Sequence, residues 1–232
     1  NDIEEALDAS SKILKVRGRV IPSTTESGVL SAEMEDASIV RGESCIPNSG
    51  KRIKNVFLEP AKPSAEGAAL QAIDDADAII MGPGSLYTSI MPNLLVDKIA
   101  EHIRASNKAK IYICNVMTQP GETDGFSVAD HVQAIEDHAG KDLINMVLVN
   151  ESPLSEETLA QYAKVGAVPV KVDMNRLNQM GMRIVRANLI DNVDKAIHNS
   201  DRLGKVVMDV VYAMQTDIEP HILEYYLRKD DN

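Results

Sequence analysis

Tryptophan is absent from this chain and cysteine nearly so, with Cys45 and Cys114 the only 2 thiols in 232 residues. A pair of cysteines in a chain of that length makes no disulfide framework, and neither lies in a C-x-x-C pair, so no structural metal site is expected. Aromatic residues amount to 3%, which leaves few flat surfaces on which bases could stack. Basic residues are also in deficit: 24 Lys and Arg stand against 35 Asp and Glu, giving a formal charge of −11. They are scattered, as in Lys51-Arg52 and Arg228-Lys229. An acidic surface without a segregated basic patch repels phosphate backbones, so no nucleic-acid partner is expected. No apolar run approaches the ~20 residues that span a bilayer, and no charged-then-apolar leader opens the chain. The expectation is a cytoplasmic protein, not bound to a membrane, whose partners are small molecules or proteins.

What is present is a globular composition, 44% hydrophobic, arranged in two grammars. From 13 to 59 short alternating runs predict a β-rich, antiparallel part. Strands are expected over Ile13 to Val20, Val29 to Met34, Ile39 to Glu43 and Arg52 to Leu58, with Glu35-Asp36-Ala37-Ser38 as a hairpin turn. Pro60 and Pro63 bracket a linker, and from 64 to 232 strands alternate with helices. A helix capped by Ser64 runs to Ile73. Strand 77–81 leads to a helix near 93–104, strand 109–114 to one near 128–138, strand 144–149 to one near 156–164, strand 168–172 to one near 174–180, and strand 182–186 follows. That alternation predicts an α/β fold, Rossmann-like, with a mostly parallel doubly wound sheet. Ser127 with Asp130 forms a weak capping box, Ser155 precedes two first-turn glutamates, and Asp173 caps a helix that Gly181 ends. The stripe Leu203, Val206, Val207, Val210, Val211 and Met214 reads as a core-facing helix, with another through Leu227.

Two loops stand out. Strand Ala78 to Met81 runs into Gly82-Pro83-Gly84-Ser85, with Thr88 and Ser89 close behind. Glycine permits a tight turn and close ligand approach, while hydroxyls and a helix N-terminus suit phosphate or carboxylate; a purely structural turn is the equal alternative. Strand Ile111 to Cys114 runs into Asn115, Thr118, Gln119, Glu122, Thr123 and Asp124, more polar groups than a simple connection needs. Glu122 and Asp124 could hold a divalent cation, accept a sugar hydroxyl or cap the next helix, the last two being favoured because no third spaced carboxylate completes a cage. Neighbouring strand ends of this kind suggest one shared ligand. His131 either faces the second loop as an acid or base or lies on the surface. His102, His138 and His221 are expected on the surface. His198, in His198-Asn199-Ser200, either serves a ligand or belongs to an N-cap. Cys114 is expected to be buried and inert. The chain has no G-x-S-x-G elbow, Walker lysine, H-E-x-x-H or opening G-x-G-x-x-G.

The runs Gly82-Pro83-Gly84-Ser85-Leu86-Tyr87-Thr88-Ser89-Ile90 with Pro92-Asn93-Leu94-Leu95, and Cys114-Asn115-Val116-Met117-Thr118-Gln119-Pro120-Gly121-Glu122-Thr123-Asp124-Gly125-Phe126, resemble the bacterial gluconeogenesis-factor family. That family is related to the 2-phospho-L-lactate transferases of deazaflavin-coenzyme synthesis. Arg17-Gly18-Arg19-Val20, Val40-Arg41-Gly42-Glu43-Ser44 and Tyr162-Ala163-Lys164 before Pro169-Val170 extend the resemblance along the chain. It implies one domain over 1–232 that binds a nucleotide sugar of the UDP-N-acetylglucosamine type. It further implies regulation of central carbon use, cell-wall synthesis and cell shape, without an assigned reaction. The transferase branch implies an enzyme using Mg2+, the only cofactor in view. The intact Thr118-to-Gly125 run and Gly84-Ser85-Leu86-Tyr87 side with the factor branch. Gly82, Gly84, Ser85 and Thr88 are then expected near phosphates or sugar, with Asn115, Thr118, Gln119, Glu122, Thr123 and Asp124 as the facing wall. Tyr162 is a nucleotide contact by resemblance alone. The family's opening strand and glycine-rich phosphate loop have no counterpart here, and Ile197 stands where an arginine is expected. The chain, which starts at Asn1 without methionine, therefore reads as truncated at its N-terminus. A protein partner and a homodimer complete the expectations.

Overall fold

The structure, a computed structural model, describes residues 18–190 and 196–215. Near the start, β1 (Val29–Met34), β2 (Ile39–Arg41) and β3 (Ile53–Glu59) form an antiparallel sheet in the order β2-β1-β3. The hairpin turn falls where the sequence places it. Ala37 takes φ 64° there, and Asp36 Oδ1 accepts from the Ser38 N–H at 3.0 Å, the local bond that favours aspartate in turns. One face of this sheet is apolar. Leu30, Ala32, Met34 and Val56 pack with Ile46 into the same core as Leu86, Met91, Leu94 and Tyr112.

The second sheet is parallel, with β4 (Ala78–Met81), β5 (Ala109–Ile113), β6 (Met146–Asn150) and β7 (Arg183–Ala187) side by side in chain order. All of β5 is buried, as a strand covered on both faces must be. Tyr112, Val147 and Val149 point to one face, covered by α3 (Ile99–Ala105) and α4 (Val128–Ala139) through Ile99, Ile103, Val132 and Ile135. Ile111, Ile113, Met146, Leu148 and Val185 point to the other, covered by Val206, Val207, Val210 and Val211 of α7 (Ser200–Gln215). Helices on both faces of a parallel sheet make the fold Rossmann-like, as expected. The remaining helices are α1 (Gly67–Asp74), α2 (Met91–Leu94), α5 (Glu156–Ala163) and α6 (Met174–Gln179).

Several local expectations are corrected. The first helix starts at Gly67, because the Ser64 N–H is held by Glu26 Oε1 (3.0 Å) and the Glu66 N–H by Ser23 O (2.9 Å). The helix read over 93–104 is two, α2 and α3, separated by Leu95 to Lys98, where Lys98 takes φ 66°. The segment 168–172 joins neither sheet. Its Pro169 and Lys171 make isolated bridges to Met117 and Ser127, so it runs along the second loop. Asp173 does not cap its own helix: its carboxylate accepts from Ser127 Oγ (2.7 Å) and the Ala129 N–H (3.0 Å), capping α4 instead. The Ser127–Asp130 capping box and the Ser155 cap form as read. The strand read over 13–20 falls mostly outside the described residues, and 18–20 carry none; the helix through Leu227 and His221 also lie outside them.

Candidate functional site

Both loops open at the carboxyl ends of the neighbouring strands β4 and β5, the place where parallel α/β sheets bind ligands. After Ser85 the chain winds through one π turn, Leu86–Ile90, in which the Ile90 N–H reaches back to Ser85 O at 3.0 Å. Such turns gather at functional sites. Gly82 takes φ +86°, and a Cβ there would meet Ile113 O at 3.0 Å. That glycine is therefore required by packing against the end of β5.

A cavity of about 880 Å³ lies over these loops. The side formed by the two loops mixes polar and apolar groups: Gly84, Ser85, Ser89, Asn115, Thr118, Gln119 and Glu122 with Pro83, Val116, Met117 and Pro120. The other is mainly apolar, formed by Tyr162, Val165, Ala167, Ala196, Ile197 and Leu203, with His198 and Ser200. Val165 and Ile197 are 64% and 60% exposed at its rim, an apolar surface that a ligand ring would cover. Pro47, reaching in from beyond β2, also lines it. None of the described lining residues is Lys or Arg.

The residues expected to bind ligand are largely bonded to one another. Asn115 Nδ2 donates to Gly84 O (3.0 Å) and Gln119 Oε1 (3.1 Å). Gln119 Nε2 donates to Ser85 Oγ (2.7 Å). Glu122, 8% exposed, accepts from the Tyr87 N–H (3.3 Å) and Thr88 Oγ1 (3.0 Å). The second loop thus grips the first at successive points. Burial pushes the Glu122 carboxyl above its ordinary range, against the pull of these donors. Thr118, 2% exposed, ties the loop to 168, its N–H donating to Val168 O (2.8 Å) and its Oγ1 accepting from the Val168 N–H (3.0 Å). Thr123, fully buried, accepts from the Gln119 N–H (2.9 Å), and exposed Asp124 accepts from the Gly121 N–H (2.7 Å). Gly82, Thr88, Thr123 and Asp124 are not among the residues lining the cavity. As a magnesium site the two carboxylates do not fit: Glu122 already accepts from the Tyr87 N–H and Thr88 Oγ1, and Asp124 holds a turn through the Gly121 N–H. Among the described residues no cluster of His, Cys, Asp and Glu suits a metal ion.

The histidines divide differently from the sequence reading. His131 neither faces the loop nor lies on the surface. It is fully buried, Nδ1 at 2.8 Å from Ser127 O, edge-on to Phe126 at 5.5 Å between ring centroids, and burial lowers its pKa. His138 is half-buried, not a surface group: Nε2 accepts from the Val56 N–H (3.1 Å) while Nδ1 donates to Ala134 O (2.7 Å), joining α4 to β3. His198 lines the cavity, and its enclosed Nε2 has no partner among the described residues; burial lowers its pKa. Tyr162 lines the cavity too, and its hydroxyl accepts from the Ala196 N–H (3.2 Å), positioning the 196–198 segment. Cys114 is inert as expected, 2% exposed, with burial pushing its thiol up to about 12. The sequence reading missed Pro47, Val165, Ala196 and Leu203, which carry no chemistry of their own. The need for glycine at 121 against Pro47 is the one trace of that contact.

Fold and cavity define the class: an α/β protein with a cavity at the carboxyl edge of a parallel sheet. The sequence profile of the 2-phospho-L-lactate transferase CofD family matches residues 1–190. A gluconeogenesis factor of Halalkalibacterium halodurans is 46% identical over 211 residues, 90% of this chain and 65% of its own length. The gluconeogenesis factor of Bacillus subtilis is 43% identical, over 90% of this chain and 67% of its own length. A crystal structure of a Bacillus halodurans protein superposes with a TM-score of 0.82 at 45% identity, covering 87% of this chain and 64% of that one. The chain belongs to this CofD family, and within it to the gluconeogenesis factors. It spans about two thirds of the length of these relatives. Among the described residues no helix is long and apolar enough to cross a membrane.

Proposed function

We propose that this protein binds a nucleotide sugar of the UDP-N-acetylglucosamine type in the β4–β5 cavity. Through that ligand it would act as a regulator of central carbon use and of cell-wall synthesis and cell shape. The supporting observation is the cavity itself, whose lining combines loop hydroxyls that suit a sugar with an apolar side at Tyr162, Val165, Ala167 and Ile197 that suits a heterocyclic ring. A ligand that binds only the native state at 100 times its Kd stabilises by about 2.7 kcal/mol. At about 2–4 °C per kcal/mol for a chain of this size, the melting temperature should rise by about 5–11 °C. Thermal unfolding with millimolar UDP-N-acetylglucosamine tests this, and an unmoved midpoint in folded protein counts against it.

A second reading is favoured by the family profile itself: a transferase moving a phospholactyl group to a deazaflavin acceptor with Mg2+. Its metal ligands would have to be groups other than Glu122 and Asp124. Product formed from a guanylylated phospholactate donor and a deazaflavin acceptor supports it, and inactivity of folded protein under those conditions removes it.

A further inference from the structure

The side-chain hydrogen bonds from the second loop to Gly84 and Ser85 run in one direction, and a backbone carbonyl sets it. Gly84 O can only accept, so the Asn115 atom 3.0 Å from it is the amide nitrogen. That nitrogen donates to the Gln119 side chain as well, at 3.1 Å, so the Gln119 atom it meets is Oε1. The other end of the Gln119 amide, Nε2, is then the atom 2.7 Å from Ser85 Oγ, and it donates. The Ser85 oxygen is thereby held as an acceptor. Its own proton is left over, and among the described residues Ser85 Oγ makes no second hydrogen bond.

Ser85 is half-buried and lines the cavity, as do Asn115 and Gln119. A hydroxyl proton without an acceptor in the protein serves whatever fills the space beside it. The group bonded to Ser85 is an amide donor and not a base, so this serine is arranged to bind and not to attack. The acceptor it suits is uncharged. Phosphate at a strand-to-helix turn is held by free donors at the amino end of the helix, and here the Tyr87 N–H and the Thr88 hydroxyl are spent on Glu122. Among the described lining residues no Lys or Arg offsets a second negative group beside that carboxyl.

We propose, resting on the reading of this cavity as a nucleotide-sugar site, that Ser85 is the donor that recognises the sugar of the ligand through an uncharged oxygen, an acetamido carbonyl or a hydroxyl. Gln119 and Asn115 are positioning residues that keep the Ser85 proton free for it. The ligand thereby acquires a direction, with its sugar against the two loops and its phosphates away from them.

Isothermal titration calorimetry with UDP-N-acetylglucosamine and with UDP, which lacks the sugar, tests this. Ser85→Ala should weaken UDP-N-acetylglucosamine about two- to tenfold, the loss of one hydrogen bond, and leave UDP unchanged. Gln119→Glu keeps the shape of the side chain but has no proton to give, so the Ser85 proton turns to it and is lost to the ligand. This variant also adds charge, and its effect is therefore read in two backgrounds: the loss should be much smaller in Ser85→Ala than in wild type. Circular dichroism confirms that the variants fold. Equal weakening of both ligands by Ser85→Ala, or weakening of neither, overturns the proposal and leaves the nucleotide-sugar reading standing. A Gln119→Glu loss of full size in the Ser85→Ala background overturns the positioning role. Folded wild-type protein that binds neither ligand overturns the nucleotide-sugar reading itself, and the role of Ser85 with it.

Discussion

Gly121→Ala is the sharpest test of how the antiparallel part meets the second loop. At Gly121, φ is +81°, and a Cβ built there would lie 2.0 Å from Pro47 O and 2.8 Å from Pro47 C. Both are backbone atoms, so no side-chain rotation relieves the clash. Gly125 is the internal control: its φ is +74°, but nothing lies within 4 Å of its Cβ position. A left-handed conformation costs a non-glycine residue about 1–2 kcal/mol, and that term is common to both sites. Overpacking adds about 1–3 kcal/mol at position 121 alone. Gly125→Ala should then lower the melting temperature by about 2–8 °C, and Gly121→Ala by about 4–20 °C, at 2–4 °C per kcal/mol. The assay is thermal unfolding followed by far-ultraviolet circular dichroism, because the chain has no tryptophan to report by fluorescence. Pro47 also lines the β4–β5 cavity, so Gly121→Ala should reduce ligand stabilisation where Gly125→Ala leaves more of it. Equal destabilisation by the two variants would refute the contact between Gly121 and Pro47.

Two further outcomes follow from the titratable groups. The raised pKa of Glu122 means that the native state holds its proton more tightly than the unfolded chain, so this group lowers stability as pH rises from 4.5 through the raised value. Glu122→Gln should remove that fall, seen in urea titrations as a wild-type-minus-variant difference that grows more negative with pH; a flat difference would show that the carboxylate is not desolvated. His138→Phe leaves the Val56 N–H without its acceptor and should cost about 1–3 kcal/mol, whereas His102→Ala loses only an exposed pair with Asp74 worth under about 1 kcal/mol. Comparable denaturation midpoints for these variants would contradict the assigned roles.

How far the sequence carries depends on whether the deciding interaction is local. The Asp36 turn and the Ser127–Asp130 capping box were legible because each partner lies within three residues of the other. The parallel sheet was legible because alternation of strand and helix leaves little topological choice. The segment Val168-Pro169-Val170-Lys171-Val172 shows why the rest was not. Its pattern specifies an extended backbone but not which backbone it joins, and its partner proved to be the second loop. His102 and His138 look alike in sequence, and only the approach of β3 makes one of them an acceptor for the Val56 N–H. The break before Lys98 has no glycine or proline at that position to announce it.

The sequence marks the two polar loops of the candidate site, and the structure adds which of their groups bond to one another. A dense run of amides, hydroxyls and carboxylates suggests contact with a ligand, since composition records donors and acceptors without their partners. In the folded chain Asn115, Gln119 and Glu122 direct those groups at Gly84, Ser85, Tyr87 and Thr88. Bonds of this kind fix the geometry of the polar wall before anything arrives, and a wall already ordered loses less conformational freedom on binding. The long second loop is therefore needed even where its side chains do not reach a ligand. It holds the first loop so that Ser89 and the backbone around Ser85 face the cavity in one arrangement. Tyr162 does similar work on the opposite side: it lines the cavity while its hydroxyl accepts from the Ala196 N–H.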